Sequence, residues 1–195
     1  MSTKDRILDE ALTLFAENGY DGTGVEQIAE KVGIKAPSLY KHFKGKEDIM
    51  NALIDSAEEH YEASFGSSEH IGKLPESKEE FIQSTLGRIT FTLHDPMIRK
   101  IRKFLVQEQF RSKRLAAITT KHQLDGLLGM YTKIIGGMMD NDLFKKDDPV
   151  LLATEVTAPV VLWIAKADRQ PQYEQEIMDS IEKHIRHFCD VYMKE

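Results

Sequence analysis

Five lysines, Lys31, Lys35, Lys41, Lys44 and Lys46, fall within residues 31 to 46, a stretch that holds no acid and interleaves them with Ser38, Tyr40 and His42. An ammonium is a compact point charge suited to a phosphate, and hydroxyl and imidazole groups add hydrogen bonds to phosphate oxygens or base edges. The local charge is +5, whereas residues 1 to 30 sum to −5 and the whole chain to −6. A basic surface on an acidic body can neutralise a nucleic-acid backbone while the rest of the molecule resists indiscriminate adsorption. Composition alone leaves a second reading open, a lysine-rich solvated helix.

The elements that must position these groups follow from an apolar ladder. Val25, Ile28, Ala29 and Val32 recur at the spacing that lines one face of a helix. Gly33 ends it, since glycine accepts the left-handed conformation common at helix C-termini. Pro37 opens the next helix, where its fixed φ suits the first turn. Leu39 and Phe43, four apart, turn inward together, which points Ser38, Lys41 and His42 outward with Tyr40 on the flank. The pattern over residues 25 to 46 reads as a helix-turn-helix.

The run NGYDGTGVEQIAEKVGIKAPSLYKHFKGKED, residues 18 to 48, closely resembles the N-terminal DNA-binding domain of TetR/AcrR-type transcriptional regulators, and the likeness extends over about residues 3 to 63. APSLYKHFKGKED follows the family's small-Pro-Ser/Thr-Leu-Tyr-x-His-Phe-x-x-Lys-Glu signature position by position. Gly24 departs from it, standing where the family usually has a second hydroxyl residue after Thr23. The resemblance implies DNA contacts by Tyr40, Lys41, His42 and Lys46. It also places Lys35, Ala36, Pro37 and Ser38 at the recognition-helix N-terminus, where amide groups favour a phosphate or a base edge. Thr23 and Val25 take the matching approach positions on the preceding helix, although Thr23 is equally readable as an N-cap and Val25 as core.

The rest of the chain reads as all-α, about nine helices in all, with no period-2 stretch and no internal repeat. A first helix carries Ile7, Leu8, Ala11, Leu12, Phe15 and Ala16 as scaffold, started by Ser2 or Thr3. A long helix from Glu47 carries Ile49, Leu53, Ala57, Tyr61 and Phe65 as far as Gly66-Ser67-Ser68, and 66 to 76 reads as a linker. Ser77 to Glu80 forms a capping box, Asp95-Pro96 and Asp148-Pro149 each start a helix, and Ser112 to about Met139 is one long glycine-interrupted helix. Pro159 is expected to kink the apolar helix it lies in. The division is residues 1 to 47 for the helix-turn-helix domain and 48 to 195 for a C-terminal domain. Residues 94 to 114 sum to +5 as well, which suits a second DNA contact, a solvated face or ion pairing with the acidic first helix.

In regulators of the resembled type the last two helices of two subunits pair into a four-helix bundle, so a homodimer through about 150 to 192 is expected. Two recognition helices about 34 Å apart would then fit successive major grooves of a near-palindromic operator in double-stranded DNA. An unknown small-molecule effector entering the C-terminal domain would release the repressor, with Phe104, Gln107, Tyr131 and Trp163 as candidate ligand-binding residues. A ligand-independent or activating regulator of the same fold is the alternative, and behind it a helical adaptor that binds no DNA. The chain holds no glycine-rich phosphate loop, HExxH helix or GxSxG elbow, so no enzyme is expected. His184, His187 and Cys189 cannot share one helical face, no metal or cofactor is expected, and the single cysteine forbids an internal disulfide. With no apolar N-terminal segment, a cytoplasmic protein without a membrane partner is expected.

Overall fold

The computed structural model describes residues 1–65, 72–111 and 113–194 of the chain. Glycine and serines 66 to 68, most of the 66–76 linker, the side chain of Phe65 and the helix start at Ser112 lie outside the described residues. The helices are α1 (Thr3–Asn18), α2 (Val25–Val32), α3 (Ala36–Leu39), α4 (Lys46–Phe65), α5 (Lys78–His94), α6 (Pro96–Glu108), α7 (Lys113–Thr120), α8 (Gly126–Asp140), α9 (Pro149–Arg169) and α10 (Glu174–Tyr192). A π-helical turn, Lys121–Asp125, carries α7 into α8 without a break in helical backbone, so these ten segments amount to nine helices among the described residues. The fold is all-α.

Two compact units divide the chain, and the dividing lines differ from a cut at residue 47. One unit comprises Met1–Ser64 together with Asp95–Thr119, and the other Phe65–His94 together with Thr120–Glu195. The reason is apolar: α6 buries Ile101, Phe104 and Leu105, and the Phe104 ring stacks on Phe15 of α1 with centroids 5.4 Å apart. Three short helices enclose too little apolar surface to stand alone, so the first unit recruits α4, α6 and α7.

Local chemistry sets the helix ends of this first unit. Ser2 caps α1, accepting the Asp5 amide at 3.2 Å while the Asp5 carboxylate accepts the Ser2 amide at 2.8 Å. Gly33 ends α2 at φ +76°, which glycine alone adopts without strain, and the Ile34 amide closes back on the Ala29 carbonyl at 2.9 Å. Asp95 caps α6, accepting the Met97 and Ile98 amides at 3.0 Å, and His60 of α4 bonds its other oxygen at 2.8 Å. Burial pushes the Asp95 carboxyl up, but the His60 bond and the two amides outweigh it and leave it below the usual carboxylate range.

The second unit buries a different cluster. Phe81 of α5 sits edge-on to Tyr131 of α8 at 6.2 Å and to Phe144 at 5.7 Å, and stacks on Phe188 of α10 at 6.4 Å. Ser77 accepts the Glu80 amide at 3.2 Å, but the Glu80 carboxylate reaches one residue further back than a capping box requires, to the Glu76 amide at 2.9 Å. Asp148 caps α9 through the Val150 amide, and α9 runs unbroken past Pro159. Leu74 is no free linker residue, because it packs against the core so closely that a Cβ on Gly137 would lie 2.6 Å from it. Leu124, in the π-helical turn, is exposed.

Replacing Asp95 with Ala should lower unfolding free energy by about 1 kcal/mol at neutral pH, the usual value of an N-cap. Because its folded-state pKa is depressed, the carboxylate stabilises above its unfolded pKa and the effect is lost as pH falls through the folded value. Denaturant titrations of wild type and Asp95→Ala should therefore differ at pH 7 and converge in strong acid.

Candidate nucleic-acid interface

The segment that carries the basic groups is α-helical over four residues only, Ala36–Leu39, and continues as tight turns. The Tyr40 amide bonds to Ala36 O at 3.2 Å, His42 to Leu39 O at 2.9 Å and Phe43 to Leu39 O at 3.1 Å. Leu39 and Phe43 are buried, at 0% and 3% exposure, and fix the segment to the first unit's core. Tyr40 is 52% exposed, and Lys35, Pro37, Lys41, His42 and Lys44 are exposed beside it. Ala36 and Ser38 are half-buried. The outward set is the one that the inward pair requires.

The backbone at the start of this segment offers less than the sequence suggests. Pro37 has no amide hydrogen, and the Ser38 amide is bonded to Lys35 O at 2.8 Å. Lys35, Ser38, Tyr40, Lys41 and His42 are thus placed to act through side chains.

Lys46 begins α4 and is half-buried. Its Nζ donates to the Tyr20 carbonyl at 2.6 Å and lies 4.2 Å from the centre of the Tyr20 ring. A carbonyl and a π face together hold the ammonium in one place, and its remaining N–H groups can still reach an anion. This role for Tyr20 has no signature in the sequence, because the two residues are far apart in the chain.

Thr23 is a correction. Its side chain is 1% exposed, and its hydroxyl bonds to Gly19 O at 2.9 Å and Leu14 O at 3.2 Å. Its hydroxyl is turned into the core, away from solvent, and the N-cap of α2 is Gly24. The Gly24 amide is bonded to the Gln27 side chain at 2.7 Å, and Val25 is half-buried at the first position of the helix.

The basic 94–114 stretch ties its own unit together. Lys100 of α6 bonds Thr13 at 2.9 Å and lies 3.7 Å from Asp9, both on α1. Arg111 is 3.6 Å from Asp21, and Arg114 pairs with Glu47 at 2.9 Å and bonds Asn51. Glu108 of α6 is only 2% exposed, accepts the Tyr20 amide at 3.3 Å and has Arg111 at 3.7 Å. Of the readings the sequence allows, ion pairing with the acidic N-terminal region is the one these contacts express.

The four candidate ligand residues are divided between the two units. Phe104 and Gln107 belong to the first unit, Phe104 as fully buried core and Gln107 exposed. Tyr131 is buried in the core of the second unit, and Trp163 is half-buried with its ring 5.7 Å from that of His184. His184 meets the Val156 carbonyl at 3.1 Å and His187 is exposed. Cys189 is buried, and burial pushes its thiol up to about 12, so it is neither a nucleophile nor an available ligand at neutral pH. Among the described residues no three His, Cys, Asp or Glu side chains converge as a metal set would require.

Residues 7–53 match the family of bacterial regulatory proteins, tetR family. The negative transcriptional regulator IcaR of the biofilm operon icaADBC from Staphylococcus epidermidis is 33% identical over 125 residues, covering 49% of this chain and 68% of that protein. The Staphylococcus aureus regulator of the same name is 51% identical over 51 residues, which span 26% of this chain and 27% of its own length. In fold, the chain is similar to SmeT, the repressor of the Stenotrophomonas maltophilia multidrug efflux pump SmeDEF, at 18% identity and a TM-score of 0.74 over 100% of this chain and 92% of that one. The SmeT–triclosan complex gives a TM-score of 0.80 at the same identity, over 100% and 93%.

The Thr23 geometry separates a structural from a contact role. Thr23→Val removes a buried hydroxyl whose hydrogen bond goes chiefly to the Gly19 carbonyl, so chemical denaturation should show a loss of about 1 to 2 kcal/mol. The affinity of the protein that remains folded for DNA should be unchanged; a loss of affinity at full folding would return Thr23 to the interface.

Proposed function

The chain belongs to the TetR family of bacterial transcriptional regulators, and on that premise we propose that it acts as a homodimeric repressor of its target promoter, released from the operator by a small molecule. The observation that carries the DNA-binding half of this reading is the exposed Tyr40, Lys41 and His42 held over the buried Leu39 and Phe43, in a stretch of five lysines and no acid. Lys46 and Tyr40 suit the backbone phosphates, while Lys35, Pro37, Ser38 and Lys41 are placed for base edges and fix which sequence is preferred. Negative regulation is the printed role of the Staphylococcus epidermidis relative, and triclosan is the molecule bound to SmeT. The site of action of such a regulator is the bacterial cytoplasm.

Support for the homodimer comes from the second unit. Along α9, Leu151 is 49% and Leu162 69% exposed, with Thr154 and Ala158 between them on one outward stripe. Val191 of α10 adds a further exposed apolar side chain. The apolar part of α9 has a mean hydropathy of 1.6 and only a third of it is buried, enough length and apolarity for a membrane span. A second copy is the better cover. α9 packs against α10, whose Glu182, Lys183 and Arg186 a surrounding bilayer would have to desolvate. In such a dimer, recognition segments about 34 Å apart would fit successive major grooves.

A gel shift with the chain's own upstream region should give a retarded band. Lys46→Ala should weaken binding to all sequences alike and flatten the dependence on salt by about one counterion, whereas a changed sequence preference would put Lys46 among the base readers. Sedimentation velocity should find a dimer at micromolar concentration, and Leu162→Glu should convert it to a folded monomer. A wild-type monomer would remove the two-site geometry.

A further inference from the structure

The folded chain itself holds Lys46 in place. Its Nζ donates to the Tyr20 carbonyl at 2.6 Å and stands 4.2 Å from the centre of the Tyr20 ring. Both partners are neutral, so the ammonium is fixed in position and keeps its full charge. The acids next to these two residues in sequence are turned to arginines of the α6–α7 corner: Asp21 lies 3.6 Å from Arg111, and Glu47 pairs with Arg114 at 2.9 Å. A lysine left to itself populates many rotamers, and freezing them is a cost of each contact it makes. For Lys46 much of that ordering is already complete in the folded protein.

Tyr20 is in turn held from two sides. Its ring lies against Phe15 of α1, centroids 5.4 Å apart, and its amide donates to Glu108 Oε1 of α6 at 3.3 Å. Glu108 is 2% exposed, and the same oxygen comes so close to Gly19 that a Cβ there would stand 2.8 Å from it. Gly19 takes φ +75°, the left-handed region that glycine enters without strain, and its bare Cα leaves room for the carboxylate. A carboxylate taken out of water is costly unless hydrogen bonds and an opposing charge replace the water, and Arg111 at 3.7 Å supplies the charge. The contacts thus form one chain within the first unit, from Glu108 to the Tyr20 amide, and from the Tyr20 carbonyl and ring to the Lys46 ammonium.

We propose that Tyr20 and Glu108 are positioning residues of the DNA interface: Tyr20 seats the Lys46 ammonium for a backbone phosphate, and Glu108, by holding the Tyr20 amide, sets where that seat lies. This rests on the reading of Lys46 as a phosphate contact and adds the residues that determine how strong the contact is. A phosphate repels a carboxylate, so Glu108 can favour binding only through another residue. That gives its effect a distinctive sign. Bulk electrostatics makes the loss of an acid tighten DNA binding, whereas loss of the anchor beneath Tyr20 weakens it.

The test is a gel-shift titration of the full-length protein on its own upstream region at several salt concentrations, with a thermal midpoint confirming that each variant is folded. Lys46→Ala sets the reference loss. Tyr20→Leu, which removes the π face, should weaken binding about 5-fold, and Tyr20→Phe, which keeps the ring, should rescue it. Glu108→Met, of similar length but with no acceptor, should weaken binding about 3-fold although a negative charge is lost. Glu108→Gln keeps an acceptor oxygen and should not weaken it. In a Lys46→Ala background neither Tyr20→Leu nor Glu108→Met should weaken binding further. Losses that persist undiminished without Lys46 would show a merely structural role and overturn the proposal, as would tighter binding by Glu108→Met. Tyr20→Leu binding like wild type while Lys46→Ala binds weakly would also overturn it, and would leave the phosphate contact standing. Lys46→Ala binding as tightly as wild type at every salt concentration would remove the contact and its seat together. If Tyr20→Leu does not fold, Glu108→Met with and without Lys46→Ala decides.

Discussion

A helix of four residues has no stability of its own, since nucleation costs more than so few hydrogen bonds return. The segment Ala36–Leu39 exists because Leu39 and Phe43 are buried against the rest of the first unit. The outward presentation of the basic side chains depends on that burial. It fixes the rotation of the segment about its axis, and that rotation alone decides that Tyr40, Lys41 and His42 face outward. Rigid presentation also lowers the entropy lost when side chains are ordered on a duplex.

The remainder of the first unit supports this placement through long-range polar ties more than through helix length. Lys46 is seated on Tyr20, and Glu108 of α6 holds the Tyr20 amide that follows α1. Arg6 of α1 donates to the Val32 carbonyl at the end of α2, where the helix dipole is negative. Exposed pairs of this kind each contribute little. Glu108 is different, because a carboxylate at 2% exposure is costly to bury without its partners. Within the same unit, Lys100 and Arg111 of the basic 94–114 stretch lie 3.7 and 3.6 Å from Asp9 and Asp21 of the acidic N-terminal residues, and Arg114 pairs with Glu47.

Local signals were the legible part. Gly33, Asp95-Pro96, Asp148-Pro149 and the inward stripe of α1 lie where periodicity and capping chemistry put them, because each depends on residues within a turn or two. The outward set of the recognition segment was legible for the same reason. Thr23 was not, since its hydroxyl partners, Leu14 and Gly19, are set by how α1 and α2 pack. Phe104 looked like a ligand aromatic on an amphipathic helix and is a core residue stacked on Phe15, a contact across 89 positions of sequence. The π-turn left only a faint trace, Gly126, among several glycines that serve other ends. The boundary at 47 failed to anticipate that α6 and α7 complete the first core, as no pattern in a single helix reveals which unit it will join.

Whether the outward recognition segment is presented twice to one duplex can be read by hydroxyl-radical footprinting of the protein on its own upstream region. Two protected segments about one helical turn, 10 base pairs, apart on the same face of the DNA are expected. A single protected segment, or protection that follows no defined sequence, would contradict it.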